Sequence, residues 1–231
     1  MTTAPSLREV FSDLKHEHIL EERRGDWATA LMFRLPSQFV AWFFLRLGWS
    51  PSMVTSVGFL TAVTIPFVAL FLPLHLATWA IVILGAFFQM CDCADGTMAR
   101  ISGKSSILGA DFDFLVDMFY YACLYISIGL IADRVLDTGY FWALMGAIAL
   151  SARYFARLVR EQTKKHIGEN KPGPIKLRDV PTAFIAGLSG LIPFGVFAGP
   201  YISWVVIALI VYSVLDIIDA LKPMRNPPYR D

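Results

Sequence analysis

Cysteine is scarce in this chain, and what there is builds no framework. Cys91, Cys93 and Cys123 lie in or beside apolar stretches, without Cys-x-x-Cys or Cys/His zinc spacing. Neither a disulfide scaffold nor a zinc site is indicated. Cys91 and Cys93 flank Asp92 and read as small packing residues. The histidines are scattered away from the acids described below, and His16 and His18 read as part of a solvated face. The N-terminal stretch is polar and lacks the apolar core of a secretory signal, so insertion into a membrane falls to internal segments. Internal repeats and low-complexity tracts are absent. The single candidate linker is Glu161–Arg178, expected to continue a preceding helix until Pro172, Gly173 and Pro174 turn the chain. Net charge is only +1, and no nucleic-acid partner is expected.

What the chain has in excess is apolar surface. Its 56% hydrophobic content and mean hydropathy of +0.55 exceed the roughly 45–50% of a soluble domain. A spanning helix needs about 20 mostly apolar residues. Six segments qualify: 53–72, 76–98, 109–131, 139–160, 181–197 and 200–220, with Pro73, Gly139, Pro181 and Pro200 near the junctions. The fold class predicted is therefore an all-α integral membrane protein of six transmembrane helices, at residues 51–221. An N-terminal arm (1–50) precedes it and a tail (222–231) follows. The segment from Gln38 to Leu47 is too short to cross and reads as an interfacial helix, with Arg34 and Arg46 at its ends. Leu7, Val10, Phe11 and Leu14 recur at helical spacing, which predicts an amphipathic arm lying on the membrane surface. Of the 20 Lys and Arg residues, only Arg134 falls on one side of this layout. The positive-inside rule then sets both termini, and the loops after the second and fourth spans, in the cytoplasm.

The second and third spans are joined by an acid-rich run. Asp92 and Asp95 are three apart and share a helix face near the cytoplasmic end of the second span; Asp113 and Asp117, four apart, share a face near the start of the third. Two antiparallel helices joined by a tight turn aim all four carboxylates at one volume. Asp111 is out of phase with them. Ionised acids at membrane depth cost about 2.5–3.5 kcal/mol each, and facing carboxylates also repel. One or two hard divalent cations, Mg²⁺ or Mn²⁺, satisfy both demands, and a pair of ions can hold a diphosphate between them. Snorkelling or capping accounts for one pair of acids near a helix end, but poorly for four in phase on consecutive helices. Gly96 follows Asp95 and Gly109 lies one turn before Asp113, each leaving room for a ligand or a neighbouring helix. Ala99 keeps the same region small, and Gly103 reads as a turn residue.

The run Asp92-x-x-Asp95-Gly96-x-x-Ala99-Arg100, then Gly109-x-x-x-Asp113-x-x-x-Asp117, resembles the signature of the CDP-alcohol phosphotransferase family at every fixed position. The resemblance implies a single displacement in which Asp92, Asp95, Asp113 and Asp117 bind two divalent ions holding the donor diphosphate. It implies Asp117 as the general base on the acceptor hydroxyl, with CMP leaving. Gly96, Ala99 and Gly109 would let cytidine and its ribose pack close, and Arg100 would face phosphate charge. Many relatives carry Thr-Pro-Asn-x-x-Thr before the first span. Here Ser50-Pro51-Ser52-Met53-Val54-Thr55 stands there, so Ser52 and Thr55 are the corresponding donor-site candidates. Many relatives are homodimers.

By the same analogy the donor is CDP-diacylglycerol and the acceptor a small polar alcohol or alcohol phosphate, in phospholipid biosynthesis at the inner membrane. The family's other branch moves CDP-choline or CDP-ethanolamine headgroups to a lipid alcohol. Arg153, Arg157 and Arg160 form a basic stripe that can bind an acceptor phosphate, anchor the helix end, or attract anionic lipid headgroups. Lys176 and Arg178 are further acceptor candidates, while Asp216 and Asp219 read as interfacial. A prenyltransferase would carry its acid motifs far apart in the chain. A metal- or proton-coupled transporter would place its acids at the bilayer midplane, in repeated halves.

Overall fold

Ser50 and Pro51 begin the first long helix for local reasons. The Ser50 side chain accepts from the Met53 amide at 3.3 Å, and Pro51, which has no amide hydrogen to satisfy, occupies the first turn. The same logic recurs at Ser106, which caps the third long helix by accepting from Gly109 N at 3.0 Å. The computed structural model describes residues 5–15, 27–167 and 187–225. Among these it is all helical: α1 (Leu7–Ser12) with a 3₁₀ turn (Asp13–Lys15), α2 (Trp27–Met32), α3 (Arg34–Arg46), α4 (Pro51–Phe71), α5 (Leu74–Ile101), α6 (Ile107–Leu136), α7 (Phe141–Ile167), a 3₁₀ segment (Gly187–Tyr201) and α8 (Ile202–Arg225).

α4 packs along both α5 and α6, while α5 and α6 touch each other only slightly; α7 packs on α6 and α8. The two acid-bearing helices therefore diverge from their shared turn, with α4 lying against both. Ile65 of α4, Ile81 and Phe88 of α5, Leu124, Tyr125 and Ile128 of α6 and Val206 of α8 build the main core. A smaller cluster of Val10, Ala41, Val54, Cys91, Ala94 and Met98 joins α1, α3, α4 and α5. Val10 is fully buried there, and such burial contributes about 1.5 kcal/mol or more toward holding α1 in place.

Among the described residues, four helical stretches are long and apolar enough to cross a membrane: Pro51–Phe71, Leu74–Ile101, Ile107–Leu136 and Gly187–Lys222. Large apolar side chains such as Leu60, Phe67, Trp79, Leu115 and Trp204 stand exposed on them, as a lipid-facing surface requires. The fourth expected span falls outside this set because α7 carries Arg153, Arg157 and Arg160 from its middle onward. The fifth and sixth merge into one apolar stretch, broken at Gly199, whose φ of 54° with ψ of −125° suits glycine and no residue with a side chain. The helix of the expected linker runs on to Ile167; the turn predicted at Pro172 lies outside the described residues, as do His16, His18 and Pro181.

At the end remote from the acid-rich turn, α6 and α7 meet backbone to backbone. A Cβ added at Gly129 would lie 2.6 Å from Ala143 Cα, and one at Gly146 would lie 2.5 Å from the Tyr125 carbonyl. Asp133 is 4% exposed and accepts from the Trp142 and Ala143 amides at 2.9 and 2.8 Å and from Thr138 Oγ1 at 2.7 Å. It thereby satisfies the open amides at the start of α7. Arg134 donates to the carbonyls of Ala69 and Leu72 at the end of α4.

Candidate active site

α5 runs unbroken to Ile101, and the chain reverses through Gly103, whose φ of 64° lies in the left-handed region, before Ser106 starts α6. This tight reversal gives the acids their common address. Asp95 is 4% exposed, and its Oδ2 accepts from Thr55 Oγ1 at 2.5 Å. The charges of Asp113 and Asp117 act on it, and the carboxyls of Asp92 and Asp113 are in hydrogen-bonding contact. Pairwise contacts thus link all four expected acids, while Asp111 is exposed.

Among the described residues, no group of three or more His, Cys, Asp or Glu side chains is already arranged as a metal shell. The donor set nevertheless fits a hard divalent cation. Asp92 and Asp113 in contact require a proton or a cation between them. Asp95 is held by one hydroxyl and the Gly96 backbone and has two further acids as its charged neighbours. Carboxylate oxygens alone suit Mg²⁺ or Mn²⁺.

Beside Asp95 and Asp113 a cavity of about 400 Å³ opens between the start of α4, the end of α5 and the first turn of α6. Ser52, Thr55, Gly96, Ala99, Arg100 and Gly109 all line it. The two glycines face space: a Cβ at Gly96 would meet only Arg100 Nη1 at 3.4 Å, and one at Gly109 only Ser106 Oγ at 3.0 Å. Neither serves helix contact, which favours the ligand-approach alternative. The Thr55 hydroxyl also bonds to Asp95 and to the Pro51 carbonyl. It steadies an acid as well as lining the cavity.

Arg100, which also lines the cavity, has a partner the sequence did not suggest. Its Nε donates to Asp13 Oδ1 at 2.9 Å and its Nη2 to Asp13 Oδ2 at 2.7 Å. Thr97 Oγ1 adds a third bond to Oδ2 at 2.9 Å. Burial alone would raise the Asp13 carboxyl; the bonds and charge of Arg100, with Thr97 and the charge of Arg34, more than offset it and hold Asp13 below its usual 3.8. Asp13 was missed in the sequence, although a signal existed: it sits three residues from Val10, on the apolar face. Arg34, expected at a wet helix end, is instead 5% exposed and donates to the Cys93 carbonyl at 2.9 Å. Gln89 is a further omission. It accepts from Thr29 Oγ1 and donates to the Gly190 carbonyl, both at 3.1 Å, tying α2 and the 3₁₀ segment to α5 one turn before Asp92.

The acceptor candidates are not one open stripe. Arg153 is 3% exposed, with its guanidinium 4.1 Å from the Tyr121 ring and 5.1 Å from that of Tyr212. Arg160 is taken by Asp216 at 2.6 Å and Asp219 at 3.1 Å. Those two acids tie α7 to α8 and are structural rather than merely interfacial. Arg157 is half-buried and has no ion pair among the described residues. Lys176 and Arg178 lie outside the described residues.

No curated protein matches the chain. A family model does, along residues 49–215, from the turn before α4 to just past the middle of α8. Diverging helices, a tight acid-rich turn and a small-residue cavity all fall inside that match. The chain belongs to the CDP-alcohol phosphatidyltransferase family, whose members are transferases of substituted phosphate groups.

Proposed function

We propose that this chain moves a phosphatidyl group from CDP-diacylglycerol to the hydroxyl of a small polar alcohol or alcohol phosphate, releasing CMP in phospholipid biosynthesis. The supporting observation is the convergence of Asp92, Asp95, Asp113 and Asp117 beside a cavity lined by Ser52, Thr55, Gly96, Ala99, Arg100 and Gly109. The four acids would hold two Mg²⁺ or Mn²⁺ ions, which supply positive charge to the donor diphosphate and to the attacking and leaving oxygens. The protein's own groups do the rest. Gly96, Ala99 and Gly109 leave a shelf on which the cytidine and ribose lie against backbone. Arg100 presents positive charge to the diphosphate, and Ser52 offers a hydroxyl at the cavity mouth. Thr55 fixes the carboxylate plane of Asp95. Asp117 takes the proton of the acceptor hydroxyl, whose oxygen then bonds to the phosphorus distal to cytidine. The bond from that phosphorus to the bridging oxygen breaks, and CMP leaves with the electron pair.

The acid cluster is proposed to face the cytoplasm of an inner membrane crossed six times, with both termini on the same side, because the Lys and Arg residues gather there. Arg157 is the favoured acceptor-phosphate contact among the described residues. Arg153 could serve only if its tyrosine neighbours admit the ligand, and Lys176 and Arg178 complete the candidate set. The test is CMP release by purified protein with Mg²⁺ or Mn²⁺, CDP-diacylglycerol and a panel of alcohols and alcohol phosphates, reading lipid products by mass spectrometry. One metal-dependent phosphatidyl product supports the reading. CMP release only with CDP-choline or CDP-ethanolamine and diacylglycerol would move the chain to the other branch.

A further inference from the structure

Arg100 reaches the donor cavity with only part of its guanidinium. Asp13 grips the Nε and Nη2 edge by two bonds, in the bidentate geometry that fixes both the plane and the direction of an arginine. The remaining nitrogen, Nη1, is the one beside Gly96, on the cavity side. A free arginine side chain would sample many rotamers there, at an entropic cost on every donor binding event. Asp13 has already restricted it.

The grip is itself built in. Asp13 is 9% exposed. Its second oxygen also receives Thr97 Oγ1, and Gln38 Nε2 reaches that Thr97 oxygen at 3.4 Å from α3. The turn carrying Asp13 is anchored by Val10, buried with Ala41 and Met98. A second cavity, of about 580 Å³, lies on the Asp13 side of the ion pair, and shares Arg100 and Ser105 with the donor cavity. The pair is therefore a wall between two open spaces. Asp13 also lies outside the residues that match the family model, 49–215, so this contact is contributed by the chain's own N-terminal segment.

We propose that Asp13 is a positioning residue for the donor: it orients Arg100 so that Nη1 meets the CDP diphosphate, making the N-terminal helix part of the donor site. The inference rests on the donor reading given above. It concerns donor affinity more than the chemical step, because Asp13 touches neither the acids nor the reacting atoms.

The test is steady-state kinetics with CDP-diacylglycerol in mixed micelles, on wild type, Asp13→Asn, Arg100→Lys and the double variant. Asp13→Asn is expected to raise the donor KM about tenfold, with kcat and the acceptor KM within about twofold. Lysine cannot be gripped edge-on, so Asp13→Asn should add less than about twofold in the Arg100→Lys background. Asp13→Glu should recover part of the donor KM. Thr97→Val, which removes only the third bond to the carboxylate, should raise donor KM about threefold and serves if Asp13→Asn does not fold. An unchanged donor KM, a fall in kcat alone, or full additivity with Arg100→Lys would overturn the inference while leaving the donor reading intact. Absence of CMP release from wild type with every cytidine donor would overturn both.

Discussion

Carboxylates are buried near both ends of α6, Asp133 on that helix and Asp95 on α5, and the two are treated in opposite ways. At the remote end Asp133 receives two backbone amides and a threonine hydroxyl, all within 2.9 Å. Every partner is a donor, the helices touch through Gly129 and Gly146, and no cavity is needed. At the other end Asp95 has one hydroxyl and one backbone amide, and its charged neighbours are Asp113 and Asp117. Asp113 meets Asp92, and the helices part around open space. Folding selects an arrangement like the first, because it satisfies a buried charge with groups that must be satisfied anyway. An arrangement like the second is a cost to the fold unless something positive completes it. A satisfied acid reads as structure and a crowded one as function, and burial alone does not separate them.

The sharpest way to break this contrast is to neutralise one acid at each end. Asp113→Asn should cut kcat on the order of 10³-fold, the loss of several kcal/mol of charge stabilisation. Its thermal midpoint should hold or rise, since a repelling charge is removed. Asp133→Ala should do the reverse, costing about 2 kcal/mol of stability while the folded fraction keeps its kcat. Paired melting curves and CMP-release assays decide it; equal stability losses in both variants would dissolve the distinction. A smaller step tests the hydroxyl at the active end. Thr55→Val keeps the shape but leaves Asp95 without its side-chain donor, and metal affinity should fall about 10–100-fold, measured by titrating activity with Mn²⁺.

The smallest effect concerns Asp13. Its carboxyl is held below 3.8 in the folded chain, so its contribution to stability is fully present above that pH. The contribution is lost as pH falls from 3.8 through the lower folded value. The difference in unfolding midpoint between wild type and Asp13→Asn should stay constant from about pH 6 to 8 and shrink below about pH 4. A difference that varies across the neutral range would mean another group titrates with it.

Much of the active end was legible in the sequence because it is local. Spacings of three and four set the acid faces, and Gly103 with Ser106 marks the reversal. The cavity-lining residues lie close to the acids or at the start of α4. Among the described residues, the helix starts expected at 53, 76, 109 and 200 fall within a few residues of Pro51, Leu74, Ile107 and Ile202, where a proline or capping serine stands. What escaped is long-range. Asp13 and Arg100 are 87 residues apart, and nothing in either stretch names the other. Arg160 with Asp216 and Asp219 depends on α7 lying along α8, which helical periodicity cannot supply. The number of crossings is likewise blurred where α7 mixes apolar and basic residues and where Gly199 breaks one apolar stretch into two.

The central claim is that the four converging acids form a cation site and not a packing accident. The direct measurement is Mn²⁺ binding to detergent-purified wild type and Asp113→Asn, followed by electron paramagnetic resonance. The account predicts saturable binding of about two ions per chain in the wild type and loss of that binding in the variant, with helical content unchanged. Binding that is absent from the wild type, or equal in the two proteins, would contradict it.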